Sequence, residues 1–348
     1  MIRVTTNGTL RGYRANLTRS SSTLNNARDK VLTQSNYTSY AEDPAAATQA
    51  FRLRRAFSRV SSQLESTGSL YSKLSSACDA LNSIKGSLAD GQAKISALAG
   101  LDDSTAAGRQ PLGQVIGSAA DSIVQILNSR YGSSFIFGGK DALGDAPFKM
   151  EEISGQRVLT YRGVPVDAAE GSDDYKQLQA MAKEESFVDI GSGLTEEGGK
   201  LIPTSAFNGA LSGLSFVGYG VDEDGDPKNM ASIMQKLSDI FGRCDPNTGA
   251  WASQQDREDA NRLTNKLTGS IDEITNQWTA LDGRTTYLKT STSRLSLLAT
   301  NLNEQILDIE QVDLASAITD FSWAQYCYNA ALKVGNGILS QSLIDYMN

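Results

Sequence analysis

Residues 53–95 read LRRAFSRVSSQLESTGSLYSKLSSACDALNSIKGSLADGQAKI. Leu53, Val60, Thr67, Leu74, Leu81, Leu88 and Ile95 stand seven apart. Phe57, Leu64, Tyr71 and Cys78 fall four residues later in the same frame, followed by Lys85 and Gln92. These are the two core positions of a heptad, strongest from Leu53 to Leu81. Asp43 and Pro44 mark where the helix begins. An aspartate accepts hydrogen bonds from the first free amides, and proline suits the first helical position. No proline occurs between residues 45 and 110, so nothing breaks the helix. The spacing predicts one helix over 45–98, roughly 80 Å long at ~1.5 Å per residue.

The pattern returns near the other end. Leu267, Ile274, Leu281, Leu288, Leu295, Leu302 and Ile309 are seven apart, with Ile271, Trp278, Thr285, Thr292, Ala299 and Ile306 four later. Burying a leucine gains about 1.5–3 kcal/mol, but a lone helix has nothing to bury it against. The simplest solution packs the two long helices antiparallel, with 111–130 as a third partner through Val115, Ala119, Ile123, Ile126 and Leu127. The expected fold is mainly α: an elongated antiparallel coiled-coil stem built from both chain ends. An ordinary helical bundle core is the alternative.

Outside the stem the same period weakens. Leu10, Leu17, Leu24 and Val31 are seven apart. So are Leu314, Phe321 and Tyr328, with Ile318, Leu332 and Leu339 beside them and Leu343 further on. Thinly apolar helices are marginal alone in water. The expectation is terminal segments that are mobile in a monomer and order against neighbouring copies.

Glycine is concentrated in the middle, with 18 of 31 between residues 131 and 249. There Phe135-Ile136-Phe137-Gly138-Gly139 suits a short strand or packed turn. Residues 157–166 alternate like a hairpin, and 187–190 and 214–219 read as strands. The predicted organisation is terminal helices (1–42 with 314–348), a stem (43–140 with 233–313) and a small β-rich outer insertion (141–232).

The chain has 348 residues and no histidine, so no catalytic triad or His-bearing zinc site can be built from it. Three cysteines are too few for a thiolate zinc ribbon and, being odd in number, argue against a disulfide framework. No apolar run approaches a membrane span, and the first residues lack the apolar core of a secretory signal. The net charge of −8 argues against general nucleic-acid binding. That total conceals +7 over residues 1–60, −10 over 141–232 and −5 over 233–348. Arg52, Arg54, Arg55 and Arg59 make a basic patch that suits an acidic neighbour or simple solvation.

Catalytic chemistry finds little support. Asp222-Glu223-Asp224-Gly225-Asp226 opens like a calcium loop, but its twelfth position is Ile233, where a bidentate glutamate is required. A polar turn is the better reading. The acid pairs Glu151-Glu152, Asp173-Asp174 and Glu184-Glu185 have nothing to place them in a cleft. Cys78 sits on the seam as a buried thiol. No catalytic residue, cofactor or metal site is expected, and the chain reads as a non-enzyme.

Four motifs point to one family. The opening Arg3-Val4-Thr5-Thr6-Asn7 resembles flagellin-type axial proteins. Glu42-Asp43-Pro44-Ala45-Ala46-Ala47, leading into Gln49-Ala50-Phe51-Arg52-Leu53, is similar to the hook-associated protein 3 family. Phe135 to Gly139 resembles that family's aromatic-Gly-Gly motif. The C-terminal segments Asp313-Leu314-Ala315-Ser316-Ala317, Tyr328-Asn329-Ala330-Ala331-Leu332 and Ser342-Leu343-Ile344-Asp345-Tyr346 also fit. The resemblance covers about 1–140 and 233–348. It implies a structural part of the bacterial flagellum at the hook–filament junction, outside the cell. Such proteins leave through the flagellar type III channel without a cleaved signal peptide and assemble as a ring of copies. The implied partners are those copies, the other junction protein, flagellin and an export chaperone, with no nucleic acid and no membrane insertion. Flagellin proper and a cytoplasmic coiled-coil adaptor remain alternatives.

Overall fold

The computed structural model describes residues 6–37, 39, 41–99, 108–153, 156–191, 195–197, 200–202 and 206–347. Side chains are described within these, apart from those of residues 6, 7, 9, 96–99, 153, 156, 200, 201 and 338–347. The opening Arg3-Val4-Thr5 motif and the Leu343 side chain therefore lie outside. Long helices occupy both chain ends, and the small sheets lie in the middle. The chain divides into two compact units, Met1–Ser62 with Ser296–Asn348, and Gln63–Leu295.

In the first unit α1 (Thr6–Thr33) leads to the start of α2 (Pro44–Ala99). The Asp43 carboxylate caps α2, accepting from the amides of Ala45 and Ala46 at 3.1 and 2.9 Å. This is the cap that Asp43-Pro44 predicts. On the return, the end of α7 (Gln254–Glu310) passes into α8 (Leu314–Met347), capped in the same way by Asp313. The two connections are tied together by backbone bonds from Asn36 to Glu310 and from Val312 to Gln34.

The second unit holds the rest of α2 and α7 with α3 (Arg109–Leu127) and α6 (Met230–Gly242). α2 and α7 run antiparallel. Cys78 Sγ lies 3.5 Å from Thr285 Oγ1, the Lys85 ammonium sits 5.7 Å from the Trp278 ring centre, and Gln92 donates to Thr268 at 2.8 Å. Leu74, Leu81, Leu88 and Ile95 are fully buried, as are Leu267, Ile274 and Leu288.

α3 presents most of the expected face: Ile123 and Leu127 are buried, and Ala119 and Ile126 pack partly buried against the core. Leu112, Ile116, Ala120, Ile123, Val124 and Leu127 are buried, whereas Val115 is exposed. The cause is α6, which packs closely on α3. A Cβ at Gly113 would come within 2.9 Å of the Ser238 carbonyl, and the Ser238 hydroxyl donates to the Gly113 carbonyl at 2.6 Å. Only glycine permits that approach.

Among the described residues, four small antiparallel sheets lie between α3 and α6 in the chain. β1 (Arg130–Tyr131) pairs with β2 (Ser134–Phe135). β3 (Phe148–Ile153), β4 (Gln156–Tyr161) and β5 (Val164–Pro165) form a three-stranded sheet in which Met150 faces Leu159. The β4–β5 turn at Arg162-Gly163 has positive φ at both residues, as the hairpin reading of 157–166 requires. α4 (Asp173–Ala182), capped by Ser172, interrupts the sheets. β6 (Phe187–Val188) pairs with β9 (Phe207–Asn208), and β7 (Glu196–Glu197) with β8 (Lys200–Leu201). Residues 214–219 were expected as a strand. Leu214–Val217 is instead one helical turn, α5. Three apolar residues and a serine over four positions do not separate the two periods.

Candidate self-association surface

α1 and α8 lie antiparallel within the first unit. Among the described residues of α8, Ala317, Phe321, Ala324, Tyr328, Ala331 and Gly335 are buried or half-buried and alternately four and three apart, with half-buried Ala330 beside them. On α1 the half-buried set includes Leu10, Tyr13, Leu17, Leu24, Ala27 and Val31. Both are heptad stripes. The α8 stripe is mostly small, and at Gly335 a Cβ would stand 2.0 Å from the Tyr13 hydroxyl.

Small residues facing inward leave large ones facing out. On α8, Trp323 is 64% exposed and Tyr326 68%, and Leu314, Ile318, Leu332 and Val334 are also exposed. On α7, Leu297, Leu298 and Leu307 are exposed as well. Of the residues expected to mediate assembly, Leu10, Leu17, Leu24, Val31 and Phe321 are half-buried on the α1–α8 contact. Leu314, Ile318 and Leu332 point away from it. Trp323, Tyr326 and Val334 are exposed too, on a different side of the helix, and heptad counting on leucine passes over all three.

Near the start of α2, Leu53 and Phe57 are half-buried and Val60 is buried. Arg54 is ion-paired with Glu310. Phe51 is exposed beside Arg54 and Arg55, on a shallow pocket that also takes in Tyr37, Ala47, Ala50 and Ser58. The remaining seam residues sit on the α2–α7 contacts of their own units: Leu64 and Leu302 half-buried, Leu74, Leu81, Leu267, Ile274, Leu281, Leu288 and Leu295 buried. Burial pushes the Cys78 thiol up, which disfavours the reactive thiolate.

The aromatic-Gly-Gly motif is a buried knot in the second unit. Phe135, Ile136, Phe137, Gly138 and Gly139 are all buried, and Phe137 meets Phe216 edge-on. Tyr161 donates to the Phe137 carbonyl at 3.0 Å. Gly139 has φ +66, and a Cβ there would lie 2.6 Å from the Glu184 carboxylate, itself paired with Arg162 at 2.9 Å. The other acids of the three adjacent pairs, Glu151, Glu152, Asp173, Asp174 and Glu185, are exposed.

Asp222, Asp224 and Asp226 do converge, but on cations of this chain. Lys266 Nζ lies 2.6, 3.0 and 2.7 Å from the three carboxylates in turn. Asp226, fully buried, also takes Lys236 and Arg262, each at 2.7 Å. Burial alone would raise its pKa. The bonds from Arg262, Lys236 and Lys266 outweigh that and hold it well below the usual carboxylate range. The polar turn is thus bolted to α6 and α7 by ion pairs.

The class defined by this geometry is a mainly helical chain in which both ends supply long antiparallel helices around an inserted β-rich segment. The same fold is found in a solved structure described as a flagellar hook-associated protein from Vibrio parahaemolyticus. It is 16% identical, spans 78% of this chain and all of the other, and has a TM-score of 0.56. Bacillus cereus FlgL (14% identical; 74% of this chain, 99% of the other) and flagellar hook-associated protein 3 from Legionella pneumophila (10%; 74% and 98%) each have a TM-score of 0.49. No family model and no curated protein sequence matches the chain. Among the described residues, no helix is long and apolar enough to cross a membrane.

Proposed function

We propose that this chain is a structural axial component of the bacterial flagellum, set at the junction between hook and filament. The observation that carries the reading is the layout of α8. Its small residues close on α1, and its aromatic and aliphatic residues face outward on a chain with the fold of a flagellar hook-associated protein. Exposed Leu314, Ile318 and Leu332 fall on one flank of the inner stripe, and Trp323, Tyr326 and Val334 on the far side, so that apolar surface suited to burial against neighbouring copies lies on more than one face of α8.

In this reading 1–42 with 314–348 are the segments that order on assembly, 43–140 with 233–313 are the stem, and 141–232 is the outward-facing insertion. The protein works by packing, not catalysis. Its partners are further copies in a ring, the other junction protein, flagellin and an export chaperone. It acts outside the cell after type III export without a cleaved signal peptide.

Deleting residues 314–348 is expected to leave the second unit folded, by circular dichroism and tryptophan emission, while abolishing filament attachment. Immunogold labelling of sheared flagella carrying the full chain should give a single band at the hook–filament boundary. Normal flagella from the truncation, or label along the whole filament, would overturn the junction role.

A further inference from the structure

Between residues 44 and 62, at the start of α2, the chain holds four arginines and no acid. Between 296 and 310, at the end of α7, it holds three acids and no base. Arg54 and Glu310 pair within the chain. Among the described residues Arg52, Arg55, Arg59, Glu304 and Asp308 form no ion pair, and all five are exposed.

Helix geometry keeps these charges apart. Arg52, Arg55 and Arg59 are three and four apart and share one face of α2. That face turns away from half-buried Leu53 and Phe57 and buried Val60. Glu304 and Asp308 share a face of α7 turned away from half-buried Leu302 and buried Ile306. Like charges three or four apart are unfavourable on an isolated helix. Both faces carry that cost, and both are relieved when one meets the other. The Arg54–Glu310 pair sets their heights. The helices run antiparallel, so Arg55 stands level with Asp308, and Arg59 with Glu304, to within about one residue. A second copy displaced sideways, with no shift along the helices, brings arginines onto carboxylates. Exposed Phe51 beside the arginines, and Leu297 and Leu307 beside the acids, add apolar area.

Resting on the reading that copies of this chain assemble by packing, we propose that neighbouring copies meet through these two faces, Arg55 and Arg59 of one against Asp308 and Glu304 of the next, with Arg52 at the edge. The contact is head-to-tail. Each copy offers a basic face and an acidic face, so each holds two neighbours.

Sedimentation equilibrium of the full-length protein tests this. Raising salt from about 0.1 to 1 M shortens the screening length from ~10 to ~3 Å, so self-association should weaken at least about tenfold. Arg55→Glu with Arg59→Glu puts acids on both faces, and Glu304→Arg with Asp308→Arg puts bases on both. Either chain alone should associate at least about tenfold more weakly than wild type, because like charges oppose each other. An equal mixture of the two should regain the wild-type association, since acidic and basic faces then alternate. Circular dichroism checks the fold. Arg55→Gln with Arg59→Gln is the milder variant should the reversals misfold, and weaker association is again expected. Absence of wild-type self-association, association indifferent to reversal, or a mixture no tighter than its components would each overturn the proposal. Loss of filament attachment in the reversed chains, with no self-association of the wild type, would assign the faces to a different protein and overturn it too. Immunogold labelling keeps the two readings separate. A single band with charge-indifferent association refutes these faces and leaves the junction role standing. Charge-dependent association with label along the whole filament does the reverse.

Discussion

Asp226→Ala removes a buried carboxylate on which three cations converge. The wild-type carboxylate is fully buried and takes Lys236, Arg262 and Lys266 at 2.7 Å each, joining the 222–226 turn to α6 and α7. Removing one partner of a buried ion pair costs ~3–5 kcal/mol, chiefly because the other charge is stranded. Here the stranded cations have side chains 40, 35 and 23% exposed, so water can reach them. The loss should therefore lie at the lower end, about 3 kcal/mol. Urea unfolding can read it in the second unit alone. Trp251 and Trp278 lie there and Trp323 in the first, so a Trp323→Phe background leaves only the relevant emission. With a denaturant slope of ~3 kcal/mol per molar, the midpoint should fall by roughly 1 M at unchanged slope. Asp224→Ala is the control. That side chain is 60% exposed, and its pair with Lys266 should contribute below about 1 kcal/mol. A shift for Asp226→Ala no larger than the control's would show that the buried cluster contributes nothing net, and the clamp would have to be abandoned.

Two further perturbations probe other joints. Gly335→Ala should loosen α8 from α1, because the new Cβ would stand 2.0 Å from the Tyr13 hydroxyl and 2.2 Å from the ring carbon that bears it. Alanine favours an isolated helix over glycine by ~1 kcal/mol, so faster amide exchange over 317–335 must come from the clash, and Tyr13→Ala should restore protection. Unchanged exchange would refute the close approach. Asp167 gives a pH test. Burial pushes its carboxyl up to about 6, partly offset by Ser232 and Lys236. A folded pKa above the unfolded value near ~3.9 means the native state holds the extra proton, so this group's contribution falls as pH rises from about 4 to 6. The full effect is on the order of 3 kcal/mol at 1.36 kcal/mol per unit. Asp167→Asn should flatten that fall in thermal denaturation series. A variant profile parallel to the wild type would contradict it.

What could be read from the sequence follows the range over which each interaction acts. Heptad spacing and the absence of proline are local and repetitive, so they reveal α2 and α7. Asp43 meets its amide partners two and three residues away, and the cap is as legible as the helix. α6 is different. Met230, Ile233, Met234, Leu237, Ile240 and Phe241 carry a plain helical period, yet the run blends into the start of the predicted stem unless Pro246 is taken as a boundary. With α6 missed, Leu112 and Ile116 are passed over and Val115 is taken as covered, since α6 decides which side of the start of α3 is buried. The cation cluster is harder still, because Arg262 and Lys266 come from 36 and 40 residues beyond Asp226. Most instructive is α8. Heptad spacing assigns Leu314, Ile318, Phe321 and Leu332 alike to contacts with neighbouring copies, whereas close packing against α1 takes Phe321 with Ala317, Ala324 and Gly335 and leaves Leu314, Ile318, Leu332, Trp323 and Tyr326 exposed. Large apolar residues left outside an intrachain contact that smaller ones make have one economical physical explanation. The helix carries two interfaces, and the larger residues serve the one that a single chain cannot make.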